Sequence, residues 1–278
     1  MPELPEVETI KRSLEPNLVN KKIMKVQVKM AKLIKKPQDP EIFKDILEGS
    51  RFKKVKRRGK YLLFYLDRPW VLVIHLRMTG RLLLLNTSEP IEKHTHLIFN
   101  LDDGLDLRFH DVRQFGLIYL VPENKLDLIS GIRTMGPEPL SEEYTFNCFR
   151  DSIKGKKQRA KAFLLDQSCV AGIGNIYADE ILFQAGIHPE ETVNNLSPEK
   201  LEDLWQAIKD RLKAGVESRG TSIKDYVDGF GTKGSFQEQL KVYGRAGETC
   251  IQCENKLMKA KVVGRSTVFC PHCQPKKN

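Results

Sequence analysis

The sequence predicts an α+β multidomain protein: an N-terminal antiparallel β-sandwich with flanking helices, a helical domain behind it, and a C-terminal zinc-bound β-hairpin. Three observations predict it. Short β-rich runs crowd the first 121 residues. Helical periodicity replaces them beyond the proline-rich stretch MGPEPLSEEYT at 135–145. Cys250, Cys253, Cys270 and Cys273 then close the chain in a C-x2-C-x16-C-x2-C pattern. The predicted domains are 2–134, 135–240 and 241–275.

The chain opens MPELPEVET. Proline and acidic residues suit a helix start, so Pro5-Glu6-Val7-Glu8 reads as a first turn. Val7, Ile10, Lys11 and Leu14 then share one face. Pro2 and Glu3 are left over by this rule. A small second residue normally allows Met1 to be removed, which would leave Pro2 with a free secondary amine.

KIMKVQV (22–28) alternates Ile23, Lys25 and Gln27 against Met24, Val26 and Val28 as a strand. PEIFKDILEG (40–49) carries Ile42, Phe43, Ile46 and Leu47 at helical spacing and ends at Gly49. Strands follow at 61–67, 70–78, 81–85, 96–111 and 115–121, with turns at 67–69, 79–80 and 102–104. Short strands at this spacing suggest an antiparallel sandwich. Beyond 145, Ala178, Ile181, Leu182 and Ala185 share a helical face. Another helix starts at Ser197-Pro198 and should bury Leu201, Leu204, Trp205, Ile208 and Leu212. The glycine-rich segment after it is a long loop, and long loops in compact domains tend to be functional.

Of 278 residues 40% are hydrophobic, enough for a sizeable core, and the net charge is +10. The charge is uneven. Residues 1–60 hold 17 basic and 8 acidic side chains, and residues 241–278 hold 8 and 2. Two basic ends around an acidic middle point to a polyanion, most simply nucleic acid; a merely basic surface has the same composition. No apolar run approaches the ~20 residues of a membrane span, and no signal peptide is visible. Six cysteines without secretion features suggest a reducing compartment, hence the cytoplasm. Cys148 and Cys169 stand apart as small hydrophobes.

The paired CxxC turns fit a closed tetrahedral zinc site, because each turn places two thiolates on one side of the ion. Two disulfides would use the same four residues. Between the pairs, two short strands flank Val263-Gly264-Arg265 and give the hairpin a basic tip. AGIGNIYADE (171–180) leads into a helix without the third glycine of a dinucleotide fingerprint. Gly172 and Gly174 would allow close backbone approach, and Asn175 would hold a phosphate at the helix start. Asn175 as a simple N-cap reads equally well.

Taken in order, PELPEVET, RRGKYL (57–62), HLRMTG (75–80), GIGNIYADE (172–180), VYGR (242–245) and the CxxC pairs resemble the bacterial formamidopyrimidine-DNA glycosylases. The resemblance runs from Pro2 to Cys273. It implies a helix–two-turn–helix middle domain, one structural zinc, monomeric action on damaged double-stranded DNA, and excision of oxidised purines followed by cleavage of the abasic site. By the same resemblance Pro2 is the nucleophile, Glu3 its acid/base, and Lys60 and Arg265 assist the elimination steps. His94, Lys156, Lys161 and Asn175 match DNA-contact positions. Met78, Arg113 and Phe115 match residues that fill the gap left by a flipped base. Arg77 stands where the family commonly has glycine, and Gln114 where it often has a second basic residue. TSIKDYVDGFGTKGSFQEQ (221–239) fits a lesion-capping loop, with Thr221, Ser222 and Tyr226 as base-edge contacts. A sister enzyme for oxidised pyrimidines, of the endonuclease VIII type, shares the proline–glutamate start. A non-catalytic zinc-finger DNA-binding protein is the rival from another class.

Overall fold

The computed structural model describes residues 1–223 and 225–276, and two compact units emerge. Unit 1 comprises Met1–Arg133 and Ser218–Ser235; unit 2 comprises Thr134–Glu217 and the chain from Phe236 onward.

Unit 1 opens with α1 (Leu4–Leu18), which buries Val7, Ile10, Leu14 and Leu18 on one stripe. Pro5 falls in the first turn, where its missing N–H costs no helical hydrogen bond. Glu3 is the N-cap, and its amide donates to Glu6 Oε2 at 2.7 Å, the reach-back arm of a capping box. The strands are β1 (Ile23–Val28), β2 (Ile34–Lys36), β3 (Phe52–Arg58), β4 (Tyr61–Leu66), β5 (Trp70–His75), β6 (Gly80–Asn86), β7 (Thr95–Leu101), β8 (Leu105–Asp111) and β9 (Leu117–Pro122), with α2 (Pro40–Leu47) after β2 and α3 (Ser130–Arg133) after β9. They form a four-stranded sheet, β1-β7-β8-β6, and a five-stranded sheet, β2-β9-β5-β4-β3. All pairs are antiparallel except β2 with β9. One core takes Val7, Ile10 and Leu14 from α1, Phe43 and Leu47 from α2, and Phe64, Leu72, Phe99 and Phe109 from both sheets.

Two strand expectations shift for local reasons. Between Ile23 and Lys25 the partner strand advances only from Leu101 to Asn100, so Met24 is a bulge residue. The bulge turns Met24 outward and lets Ile23 and Val26 both face the core. The strand read as 70–78 stops at His75. Arg77 adopts φ 56°, and the Gly80 amide returns to the Leu76 carbonyl at 3.1 Å. A Cβ on Gly80 would collide with that carbonyl oxygen, so only glycine fits there.

Unit 2 contains α4 (Phe146–Ile153), α5 (Ala160–Leu165), α6 (Asn175–Ala185) and α7 (Pro198–Glu217), followed by the hairpin β10 (Met258–Val262) and β11 (Arg265–Phe269). Helix α6 is buried almost all round, including Asp179 and Glu180, so the single apolar face expected for it is too narrow. On α7, Leu204, Ile208 and Leu212 are buried while Leu201 and Trp205 are only half-buried. Phe183 packs with Val242, Cys250, Leu257, Val268 and Cys270 in one apolar cluster. The finger therefore shares its apolar cluster with Phe183 of α6. Segment 218–235, read with the helical domain, joins unit 1.

The hairpin turn is Val263-Gly264, since Val262 pairs with Arg265. Both turn residues have positive φ, 44° and 75°, as a two-residue primed turn demands. A β-branched residue is strained in this region, at a cost of about 1–2 kcal/mol. Val263→Asn is expected to raise the apparent unfolding midpoint by a few degrees, read by thermal denaturation of the zinc-loaded protein. A lowered midpoint would contradict the strained turn.

Candidate functional site

Pro2 and Glu3 are both buried at the start of α1, with Met1 exposed ahead of them. The Glu6 carboxylate organises this end. One oxygen accepts the Glu3 amide, and the other accepts the Thr221 amide at 2.7 Å. Gly220 has φ 83°, and a Cβ there would sit 2.9 Å from Glu6 Cγ, so the loop reaches Glu6 only through glycine. Gly229 continues the attachment: its N–H donates to Ser13 Oγ at 3.1 Å, and its carbonyl accepts the Leu84 amide at 2.8 Å. Within the loop, Ser222 Oγ donates to the Tyr226 carbonyl and accepts the Gly234 amide, both at 2.9 Å. Tyr226 points inward instead of toward a ligand. Its ring joins the core of unit 1, and its hydroxyl donates toward the Arg219 and Glu6 carbonyls at 3.0 and 3.3 Å. Burial raises its phenol pKa. Tyr226 is thus a structural residue, a correction to its reading as a base-edge contact. Lys224 lies outside the described residues.

Lys60 is buried in the two-residue Gly59-Lys60 turn joining β3 to β4. Arg57, two residues before that turn, ties the hairpin to α1 through Glu8 at 3.0 Å. Across the sheet, His75 packs edge-on against Tyr61 with ring centroids 4.6 Å apart. Its Nδ1 accepts the Arg77 amide at 3.0 Å. Burial first, then the Arg77 and Lys60 cations, hold His75 down to about 3, so it stays neutral at physiological pH.

Met78, Arg113 and Phe115 come together as an exposed group. Arg113 Nη1 lies 3.0 Å from Met78 Sδ, and its guanidinium sits 4.8 Å from the centre of the Phe115 ring. Met78 and Phe115 are 43% and 50% exposed, so neither is a core residue. Asp111, which sequence reasoning missed, fixes both turns. It is fully buried, and its Oδ1 accepts Thr79 Oγ1 at 2.5 Å while its Oδ2 accepts the Gly116 amide at 2.8 Å. Thr79 Oγ1 in turn accepts the Arg113 amide at 3.1 Å. Arg77 and Gln114 both have positive φ, 56° and 58°. A left-handed position gives glycine a physical advantage at 77. His94, half-buried with φ 71°, has its ring centroid 6.2 Å from that of His96 and 6.1 Å from that of His110.

In unit 2, Gly174 is the N-cap of α6, which sets aside Asn175 as a simple cap. Asn175 Nδ2 donates to the Ser266 carbonyl at 2.9 Å, one residue from Arg265. Arg265 is exposed at the start of β11. Lys161 departs from its reading as a DNA contact. It is fully buried, and its ammonium bonds Asp179 Oδ1 at 2.6 Å, Thr267 Oγ1 at 2.7 Å and the Ser266 carbonyl at 3.1 Å. Burial pushes Asp179 up to about 6 against the lowering pull of Lys161. Lys156 is half-buried, with its cation beside the Cys169 thiol, whose pKa burial raises. Glu180, also missed from sequence, accepts the Lys241, Val242 and Tyr243 amides at 2.9–3.0 Å. It thereby shapes the VYGR turn.

The sulfurs of Cys250, Cys253, Cys270 and Cys273 all lie within 4.8 Å of one another. Cys253–Cys270 and Cys250–Cys273 are 3.4 and 3.9 Å apart. A tetrahedral zinc with bonds of about 2.3 Å requires sulfurs about 3.8 Å apart, so the four fit one structural zinc with no open position. Gln274 locks this knuckle to the end of α6, accepting the Cys270 amide at 3.0 Å and donating to the Ile187 carbonyl at 2.8 Å. No helix among the described residues is long and apolar enough to cross a membrane.

A β-sandwich headed by a buried proline–glutamate pair, a helical unit and a four-thiolate finger define a modular class of zinc-finger protein. Family models divide the chain accordingly. The formamidopyrimidine-DNA glycosylase N-terminal domain matches residues 1–118, its helix–two-turn–helix domain matches 135–227, and the zinc finger found in FPG and IleRS matches 247–276. The chain belongs to the formamidopyrimidine-DNA glycosylase family. The protein so named from Pelotomaculum thermopropionicum is 47% identical over 277 residues, covering all of both chains. That from Carboxydothermus hydrogenoformans is 48% identical, covering 99% of this chain and all of its own. Among solved structures, a point mutant of the Lactococcus lactis FPG in complex with Fapy-dG-containing DNA has a TM-score of 0.93 at 37% identity, covering 99% of this chain and 100% of that one. A second Lactococcus lactis complex, with DNA containing an abasic site, has a TM-score of 0.92 at the same identity and coverage.

The depressed His75 pKa carries a pH signature. The folded form refuses a proton that the unfolded chain accepts near 6.5, so this contribution to stability is complete above that pH. It is lost as pH falls toward about 3, at up to about 1.4 kcal/mol per pH unit. Replacing His75 with Gln should flatten the loss of stability between pH 6 and 4 in denaturant titrations. An unchanged slope would mean that His75 is already charged when folded.

Proposed function

We propose that this protein carries out base-excision DNA repair as a bifunctional glycosylase, removing 8-oxoguanine and formamidopyrimidines and then cleaving the abasic site by β,δ-elimination. It acts as a monomer in the cytoplasm, on damaged duplex DNA. The observation that carries the mechanism is the buried Pro2-Glu3 pair capping α1. The relatives' names and the Fapy-dG and abasic-site complexes support the substrate class.

Once Met1 is removed, Pro2 offers a secondary amine whose reference pKa, about 7.7–8.0 for an α-amino group, leaves part of it neutral near pH 7. Its nitrogen attacks the sugar C1′, and the glycosidic bond breaks toward the base, which leaves with a proton. Glu3 protonates the ring oxygen, opening the sugar to an iminium ion. Loss of a C2′ proton then expels the 3′ phosphate, and loss of a C4′ proton expels the 5′ phosphate. Water releases the amine. Lys60 and Arg265 assist these eliminations, and His94, Lys156 and Asn175 bind the backbone. Met78 and Phe115 fill the gap beside the opposite base, which Arg113 contacts. Thr221 and Ser222 border the base pocket on a loop tied to Glu6.

Borohydride trapping on an 8-oxoguanine duplex tests this reading. A covalent adduct is expected at Pro2, reduced more than about 100-fold in Pro2→Gly and in protein that keeps Met1. An adduct on a lysine would overturn the terminal-amine mechanism, and much faster cleavage of thymine glycol would reassign the substrate class.

A further inference from the structure

Lys161 and Asp179 form a buried charge pair with no outlet to solvent, at 0% and 1% exposure. Such pairs are weak contributors to net stability and are well suited to fixing one arrangement over others. Here the arrangement is the register of β11. The Lys161 ammonium donates to Asp179, and it also donates to the Ser266 carbonyl and the Thr267 hydroxyl. The Thr267 hydroxyl accepts from Lys161 and donates to the Arg265 carbonyl at 3.2 Å. Asp179 Oδ2 accepts the Val268 amide at 3.1 Å, and Asn175 Nδ2 donates to the Ser266 carbonyl at 2.9 Å. Every residue from Arg265 to Val268 is therefore tied, directly or through Thr267, to α5 or α6.

We infer that Lys161 and Asp179 are positioning residues that hold the hairpin strand of Arg265 in register with Asn175 at the start of α6. The inference rests on the role proposed above for Arg265. The pair is buried, so it acts through the strand that carries Arg265. It sets where the arginine stands when the second elimination takes place.

Lys161→Met alone would leave a buried carboxylate unpaired, so Lys161→Met/Asp179→Leu is the main test, with Thr267→Val removing only the hydroxyl link. In the zinc-loaded double variant, the ratio of δ- to β-elimination product on an abasic duplex is expected to fall about tenfold or more. KM should rise by a similar factor, while borohydride trapping at saturating DNA keeps the wild-type rate. Thr267→Val should shift the same ratio severalfold. Hydrogen exchange at residues 262–266, measured without DNA, should accelerate in both. If trapping is absent in the wild type, the proposed function fails while exchange still reads the pair. Wild-type product ratio and unchanged exchange in both variants would overturn the inference, as would an equal loss of trapping and δ-product.

Discussion

A buried carboxylate accepting main-chain N–H groups from outside its own helix or strand is the interaction on which both units depend. Glu6 takes the Thr221 amide, Asp111 the Gly116 amide, Asp179 the Val268 amide, and Glu180 three consecutive amides from Lys241 to Tyr243. An isolated carboxylate could not stay ionised at such depth. Hydrogen bonds to a charged acceptor are worth about 1.5–3 kcal/mol each, and their loss leaves buried amides without partners. Each acid therefore specifies one loop path among many.

In unit 1 this constraint serves the buried Pro2-Glu3 terminus and the exposed group of Met78, Arg113 and Phe115. Glu6 joins the N-cap amide of Glu3 to the glycine-rich loop, so a shift of the loop is felt one helical turn from Pro2. Asp111 joins the turn of Met78 to that of Phe115, keeping two apolar side chains in water where burial elsewhere would be favoured. In unit 2, α6 carries both acids on adjacent residues. Asp179 faces the hairpin strand and Glu180 the approach to the finger. Zinc fixes the far end of the same module, and Gln274 fastens that end back to the C-terminus of α6.

Much of this was legible in the chain. The helix at Pro5, the run of short strands and the four-cysteine spacing follow from rules that act over a few residues. The misjudged features were long-range. Tyr226 reads as a loop aromatic free to contact a ligand, yet it is a core residue because α1 passes beneath it. Lys161 reads through the resemblance as a DNA contact, yet it is the partner of an acid 18 residues away. Met78 and Phe115 by residue type alone read better as core, and Asp111 and Thr79 account for their exposure.

The sequence by itself determined the order of modules, the metal ligand set and the proline–glutamate start, because spacing along the backbone is enough to define each. The tertiary structure alone decided which charges are buried and paired, and which loop each of them holds. A carboxylate or ammonium carries no local mark of its eventual partner. Its cost of burial is met only by groups that folding brings from tens or hundreds of residues away.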